Sequence, residues 1–208
     1  FSNLNSPNGK ILSLKINDGN FIWDEIVAEK EFPISGASVA GDKLIINYLV
    51  DTISKVEFFD LEGNFIEELM YKGEGSLSGF YGKLGNKFSY FEFSNFTTPQ
   101  SIYELDLETL SYKPYWQTEI KGLNIKDYAG RLDFYKSKDG TSIPIHISYK
   151  KDLEITSQTP VLLYGYGGFN IPILPYFSKT FYMWIKSGGV LAVANLREIG
   201  RASCRERV

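Results

Sequence analysis

Three stretches of the first 120 residues share one design, and their spacing limits the fold more than anything else in the chain. Ile11-Leu12-Ser13-Leu14-Lys15-Ile16 runs into Asn17-Asp18-Gly19 and then Asn20-Phe21-Ile22. Val56-Glu57-Phe58-Phe59-Asp60-Leu61 runs into Glu62-Gly63 and then Asn64-Phe65-Ile66. Ile102-Tyr103-Glu104-Leu105-Asp106-Leu107 runs into Glu108-Thr109 and then Leu110-Ser111-Tyr112. Each reads as an alternating strand, a tight polar turn and a returning strand. In the first two, glycine accepts the positive φ of the turn without steric cost. The turns, at 19, 63 and 109, lie 44 and 46 residues apart. Between them, Lys43–Val50 and Lys87–Ser94 alternate as half-buried strands do. A period of about 40–50 residues with four short strands per unit is the pattern of β-propeller blades. The competing reading is a β-sandwich with coincidental spacing. A closed propeller needs about 4–8 blades and residues 1–120 hold about two and a half, so these sheets are expected to stay open, with exposed edges.

Composition supports a β-rich chain and removes several functions. Aromatic residues make up 15% of the chain, and these favour strands. The net charge of -3, without basic excess, argues against nucleic acid and against an anionic membrane surface as partners. No apolar run reaches about 18 residues, so no membrane-crossing helix is expected. The first residues, Phe1-Ser2-Asn3-Leu4, show no signal-peptide pattern and no initiating Met, so the start reads as a truncation. Cytoplasm and periplasm both remain open as compartments. One Cys, Cys204, and one His, His146, with no carboxylate cluster beside them, make a metal site an unpromising reading. No cofactor is expected.

From about Lys121 the pattern changes. Arg131–Lys136 and Thr141–Tyr149 read as two strands around the turn Ser137-Lys138-Asp139-Gly140. Thr159-Pro160-Val161-Leu162-Leu163-Tyr164 is an apolar run with little alternation, as in a strand buried on both faces. Gly165–Gly168 forms a glycine-rich loop. Phe177, Phe181, Trp184 and Ile185 then fall on one face of a helix, which Ser187-Gly188-Gly189 ends. Val190–Asn195 is a second buried strand. Strand, loop, helix and strand open an α/β domain.

A blade-like repeat followed by an α/β unit that opens with Leu163-Tyr164-Gly165-Tyr166-Gly167-Gly168-Phe169-Asn170 resembles the prolyl oligopeptidase family. The resemblance also takes in Phe96-Thr97-Thr98-Pro99, Ser137–Thr141 with Ile143-Pro144, Pro160–Asn170 and Gly188–Arg197; residues 1–95 share the blade pattern only. It implies a mainly β fold: a partial β-propeller of about two and a half blades, followed by the first strands and helix of an α/β-hydrolase domain. It implies a serine endopeptidase that cleaves short peptides after proline, with the propeller capping the active site and limiting substrate size. The triad of such a fold comes in the order Ser, Asp, His, with the Ser on a G-x-S-x-G elbow. All three would lie beyond residue 208, so the chain is expected to be a fragment that is inactive alone. The expected divisions are 1–120, partial propeller; 121–197, the beginning of the peptidase domain; and 198–208, a non-native tail. An oligopeptidase B or dipeptidyl-peptidase type of relative, and a non-catalytic propeller binding module, are the alternatives.

By the same resemblance, Tyr166 matches a Tyr whose hydroxyl helps form the oxyanion hole. Acyl transfer needs a fixed donor where negative charge develops, and flanking glycines leave room for substrate. Phe169 matches a position lining the apolar pocket for the substrate's proline; a core Phe is the other reading. His146 alternates with Ile145 and Ile147 and takes no triad role. Gly36-Ala37-Ser38-Val39-Ala40 resembles a nucleophile elbow but lacks the strand-to-helix setting the motif requires. Asn95-Phe96-Thr97 is a chance-level glycosylation triplet. The tail departs from the family: a glycine run is replaced by Glu198–Val208, where Arg201, Arg205, Arg207 and the only Cys are concentrated.

Overall fold

Alternating apolar and polar residues build the first half of the chain into antiparallel sheets; the computed structural model describes residues 1–167 and 171–196. β1 (Ile11–Asn17) and β2 (Asn20–Val27) form a two-stranded ribbon. β3 (Ile34–Ala40), β4 (Lys43–Val50), β5 (Ile53–Phe59) and β6 (Phe65–Glu68) form a four-stranded meander in sequence order. β7 (Ser76–Tyr81), β8 (Phe88–Ser94), β9 (Ser101–Asp106) and β10 (Tyr112–Gln117) form a second one. The three turns read from the sequence join β1 to β2, β5 to β6 and β9 to β10. No sheet closes on itself among the described residues. The segment with the elbow-like Gly36–Ala40 lies inside β3, where Ser38 donates its Oγ hydrogen to the Phe80 carbonyl at 2.7 Å.

The chain divides into two compact units, Phe1–Phe93 with Ser101–Trp116, and Ser94–Gln100 with Gln117–Val208. In the first, the period of two along β4 sorts its side chains. Leu44, Ile46 and Tyr48 pack with Ile11, Val27, Ile34 and Phe59 on one face. Ile45 packs with Val56, Phe58, Leu77, Phe80, Phe91 and Leu105 on the other. The central strands of the first meander, β4 and β5, thus carry buried side chains on both faces, whereas β3 and β6 are largely exposed; β4 is not the half-buried strand its alternation suggests, because it lies between two cores. Stacked rings finish the second core: Phe80 lies 5.0 Å from Phe91, and Phe91 lies 5.2 Å from Tyr103. Glu57 is a buried carboxylate, held by Lys55 at 3.3 Å and by Lys30. The Lys30 ammonium also sits over the rings of Tyr48, Phe59 and Phe65, at 5.2, 5.2 and 5.7 Å from their centres. Burial, and after it the charge of Glu57, pushes the Tyr48 phenol up to about 12.

The second unit holds one mixed sheet. β11 (Tyr128–Lys136) and β12 (Ser142–Lys150) form a hairpin. β13 (Val161–Gly165) leads through a loop and α1 (Lys179–Lys186) to β14 (Val190–Ala194). The order is β11-β12-β14-β13, with β14 antiparallel to β12 and parallel to β13. Helix α1 lays Phe181, Tyr182 and Ile185 against Leu191 and Val193. Gly188, at φ +92°, ends it, and Gly189 lies so close to the Trp184 ring that a Cβ would meet it at 2.4 Å.

Two strands share an apolar composition and differ in burial. β14 is buried along its whole length, as its sequence suggests. β13 is not buried on both faces as its sequence suggests: Val161 and Leu163 are 56% and 68% exposed. The reason is position. Among the described residues β13 is paired on one side only, and α1 covers only the face that carries Leu162. No described helix is long and apolar enough to cross a membrane.

Candidate functional site

The glycine-rich loop leaves the sheet at the carboxyl ends of its two parallel strands, the place where open α/β sheets bind ligands. Pairing holds Tyr164 beside Val193 and Gly165 beside Ala194. A Cβ at Gly165 would fit tightly against the Ala194 carbonyl oxygen and the Leu196 side chain, both at 3.3 Å. The next residue, Tyr166, is 41% exposed, so its phenol is open to a ligand. Phe169 and Asn170 lie outside the described residues, as does the whole tail from Arg197 to Val208 with Cys204.

Beneath the loop the sheet carries a group of rings. His146, Val193 and Tyr164 stand side by side across β12, β14 and β13. The Tyr164 ring lies 5.6 Å from Phe181, and Tyr176 lies 5.8 Å from Phe181 and 5.9 Å from Phe96. Phe96, brought in by the loop between β8 and β9, is 5.3 Å from the His146 ring. Burial, followed by the neighbouring Tyr164, raises the Tyr176 phenol. Burial alone lowers His146 to about 4, so at neutral pH it is an uncharged core group. Asn95 folds its own loop: its Oδ1 accepts from the backbone of Thr97 at 2.9 Å and of Thr98 at 2.7 Å. Such Asx turns are what Asn does in loops.

The sequence reading missed one polar contact. Asn195, directly after β14, is buried, and its carboxamide meets the backbone of Ile173 twice. Oδ1 accepts from the Ile173 N–H at 2.9 Å, and Nδ2 donates to the Ile173 carbonyl at 3.1 Å. An Asn at the end of an apolar run was the only local signal. No group of three His, Cys, Asp or Glu side chains able to hold a metal ion exists among the described residues. Chemically, the site offers an exposed phenol donor between two glycines, at the end of a strand whose Tyr164 belongs to an aromatic cluster.

Comparison with known proteins fits this architecture. The model of the N-terminal β-propeller domain of prolyl oligopeptidase matches residues 1–118, and the chain belongs to the prolyl oligopeptidase family of serine peptidases. It is 34% identical to the prolyl endopeptidase of Elizabethkingia meningoseptica over 95% of its own length and 28% of that protein's. Against the prolyl endopeptidase of Dictyostelium discoideum the identity is 30%, over 97% and 28% of the two chains. A solved prolyl endopeptidase structure superimposes with a TM-score of 0.85 at 32% identity, covering 94% of this chain and 29% of that one. Prolyl oligopeptidase B from Galerina marginata gives 0.86 at 23% identity, over 98% and 30% of the chains; at that identity the likeness speaks to fold alone. The chain spans less than a third of the length of these relatives.

Proposed function

We propose that the chain is part of a serine endopeptidase that cleaves short peptides on the carboxyl side of proline, and that Tyr166 donates one hydrogen bond of its oxyanion hole. The observation that carries this is the setting of Tyr166: an exposed phenol one residue past a parallel strand, on a glycine-flanked turn, in a chain of the prolyl oligopeptidase family. A donor fixed to a sheet costs little reorganisation when the carbonyl oxygen gains charge. Phe169 would line the pocket for the proline ring. The first strands and helix of the hydrolase domain would be β13, α1 and β14. Nucleophile, base and orienting acid would come from residues outside 1–208, since the one His here is buried in β12.

The test is kinetic. In the full-length reading frame, Tyr166→Phe lowers kcat on a proline-containing fluorogenic peptide by about 10²–10³-fold, while KM changes little. The 208-residue chain alone gives no turnover. Unchanged kcat in the variant removes Tyr166 from the mechanism. Turnover by the short chain that a serine-reactive inhibitor blocks removes the assignment of the triad to other residues.

A further inference from the structure

Four side chains on one face of the first meander surround an ammonium. Tyr48 of β4, Glu57 and Phe59 of β5 and Phe65 of β6 meet there; Phe59 and Phe65 are cross-strand partners, with ring centres 5.8 Å apart and planes at 77°. The Lys30 head stands 5.2 Å from the Tyr48 and Phe59 ring centres and 5.7 Å from that of Phe65, and it donates to Glu57. Tyr48, Glu57 and Phe59 are buried, while Phe65 is 57% exposed, so the cage is closed at its floor and open at one wall. Aromatic faces attract a cation through their quadrupoles, and cages of rings are how proteins bind ammonium ligands. From this geometry we propose that Tyr48, Phe59, Phe65 and Glu57 form a binding site for a primary alkylammonium, with Lys30 as its built-in occupant.

Lys30 is held twice, by its backbone and by its head. The carbonyls of Lys30 and Glu31 accept from Asn8 Nδ2, both at 3.0 Å, and the Asn8 backbone N–H donates to the Glu29 carboxylate at 2.6 Å. The connector between β2 and β3 is thus seated without help from the Lys30 ammonium, and cutting the side chain back leaves the rings in their strands. Lys30→Ala removes three methylenes and the nitrogen, the heavy atoms of n-propylammonium. Among the described residues Glu57 then keeps Lys55, at 3.3 Å, which it shares with Glu68 at 3.2 Å. A buried carboxylate short of a partner draws in a cation. Its lone pairs call for an N–H donor, which selects a primary ammonium over a quaternary one, and the rings select a cation over an alcohol.

The experiment follows n-propylammonium by saturation-transfer NMR on the full-length peptidase and on its Lys30→Ala variant, at fixed ionic strength. The variant binds with a Kd of about 1–10 mM, the range open to a ligand of so few heavy atoms. The parent binds at least about tenfold more weakly, because a tethered ammonium already fills the cage at an effective concentration in the millimolar range or above. Tetramethylammonium and 1-propanol each bind the variant at least about tenfold more weakly than n-propylammonium, and adding Glu57→Gln to Lys30→Ala costs n-propylammonium a similar factor. Equal binding by parent and variant puts the ligand elsewhere, and equal binding of 1-propanol reduces the effect to filling of space. Either result overturns the site, as does an absence of binding to the folded variant. Should Lys30→Ala fail to fold, the parent decides through reductive methylation with formaldehyde and borohydride, mapped by mass spectrometry. The Lys30 side chain is 38% exposed and that of Lys113 73%, so exposure alone separates their rates by about twofold. The Lys30 nitrogen must leave the rings and Glu57 before it reacts, and is modified at least about tenfold more slowly than Lys113; a ratio near two overturns the proposal.

Discussion

Acidification from about pH 7 to about pH 5 should weaken the second unit by about 1–2 kcal/mol through His146 alone. The ring lies in β12 between Leu132 of β11 and Val193 of β14, with Phe96 over it. Burial lowers it from 6.5 to about 4. A histidine depressed in the folded state is protonated first in the unfolded state, so unfolding takes up a proton. Its stabilisation is complete above about 6.5 and is lost as pH falls from there towards about 4. The whole window is worth about 3 kcal/mol at 1.36 kcal/mol per pH unit, and about 2 of that is gone at pH 5; water reaching the protonated ring trims the figure towards 1. Urea melts followed by tryptophan emission read this directly. Trp184 sits in the same unit, its Nε1 donating to the Val190 carbonyl at 2.9 Å. The midpoint of the parent should fall between the two pH values by more than that of His146→Gln. Carboxylates such as Asp60 and Asp106, whose hydrogen bonds hold them low, lose stability in the same direction in both proteins and cancel. Equal pH dependence in parent and variant would refute the reasoning.

Two substitutions in the first unit test its packing. Gly63 sits at φ +92°, and a Cβ there would meet the Ile26 carbonyl oxygen at 2.0 Å, whereas Gly19, at φ +79°, has nothing within 4 Å. Gly63→Ala should therefore cost at least about 2 kcal/mol and Gly19→Ala about 1, a difference that thermal melts resolve; equal losses would deny the contact. Lys30→Met keeps the stem over the rings but leaves Glu57 to Lys55. The expected loss is about 1–3 kcal/mol, with Lys30→Arg near the parent; an unchanged urea midpoint in Lys30→Met would show that the ammonium contributes nothing.

What could be read in advance follows from how local each cause is. Gly19 and Gly63 mark their turns because positive φ is a property of one residue. Helix α1 and β14 are visible because their periodicity is internal to the segment. The strands β3 and β7 are not visible: Gly36 and Gly79 interrupt them, and they hold their shape through pairing with β4 and β8. The exposure of β13 is equally hidden, since its residues match those of a central strand and only its place in the sheet differs. Tyr166 stood out by its glycines, while Asn195 did not, because its partner Ile173 is 22 residues away and is met through backbone atoms that any residue has.

The strand order of the second unit also governs how a ribosome can deliver it. Among the described strands β14 comes last in sequence yet lies between β12 and β13. A nascent chain that has emerged only as far as Lys186 therefore has an unpaired edge on β12 and no described partner at all for β13. The five residues Val190–Ala194 satisfy both at once. Until they emerge, two strand edges stay open to foreign pairing, the hazard that slow nonlocal sheets carry. The interval between the emergence of β13 and that of β14 thus sets how long these edges are exposed to misassembly.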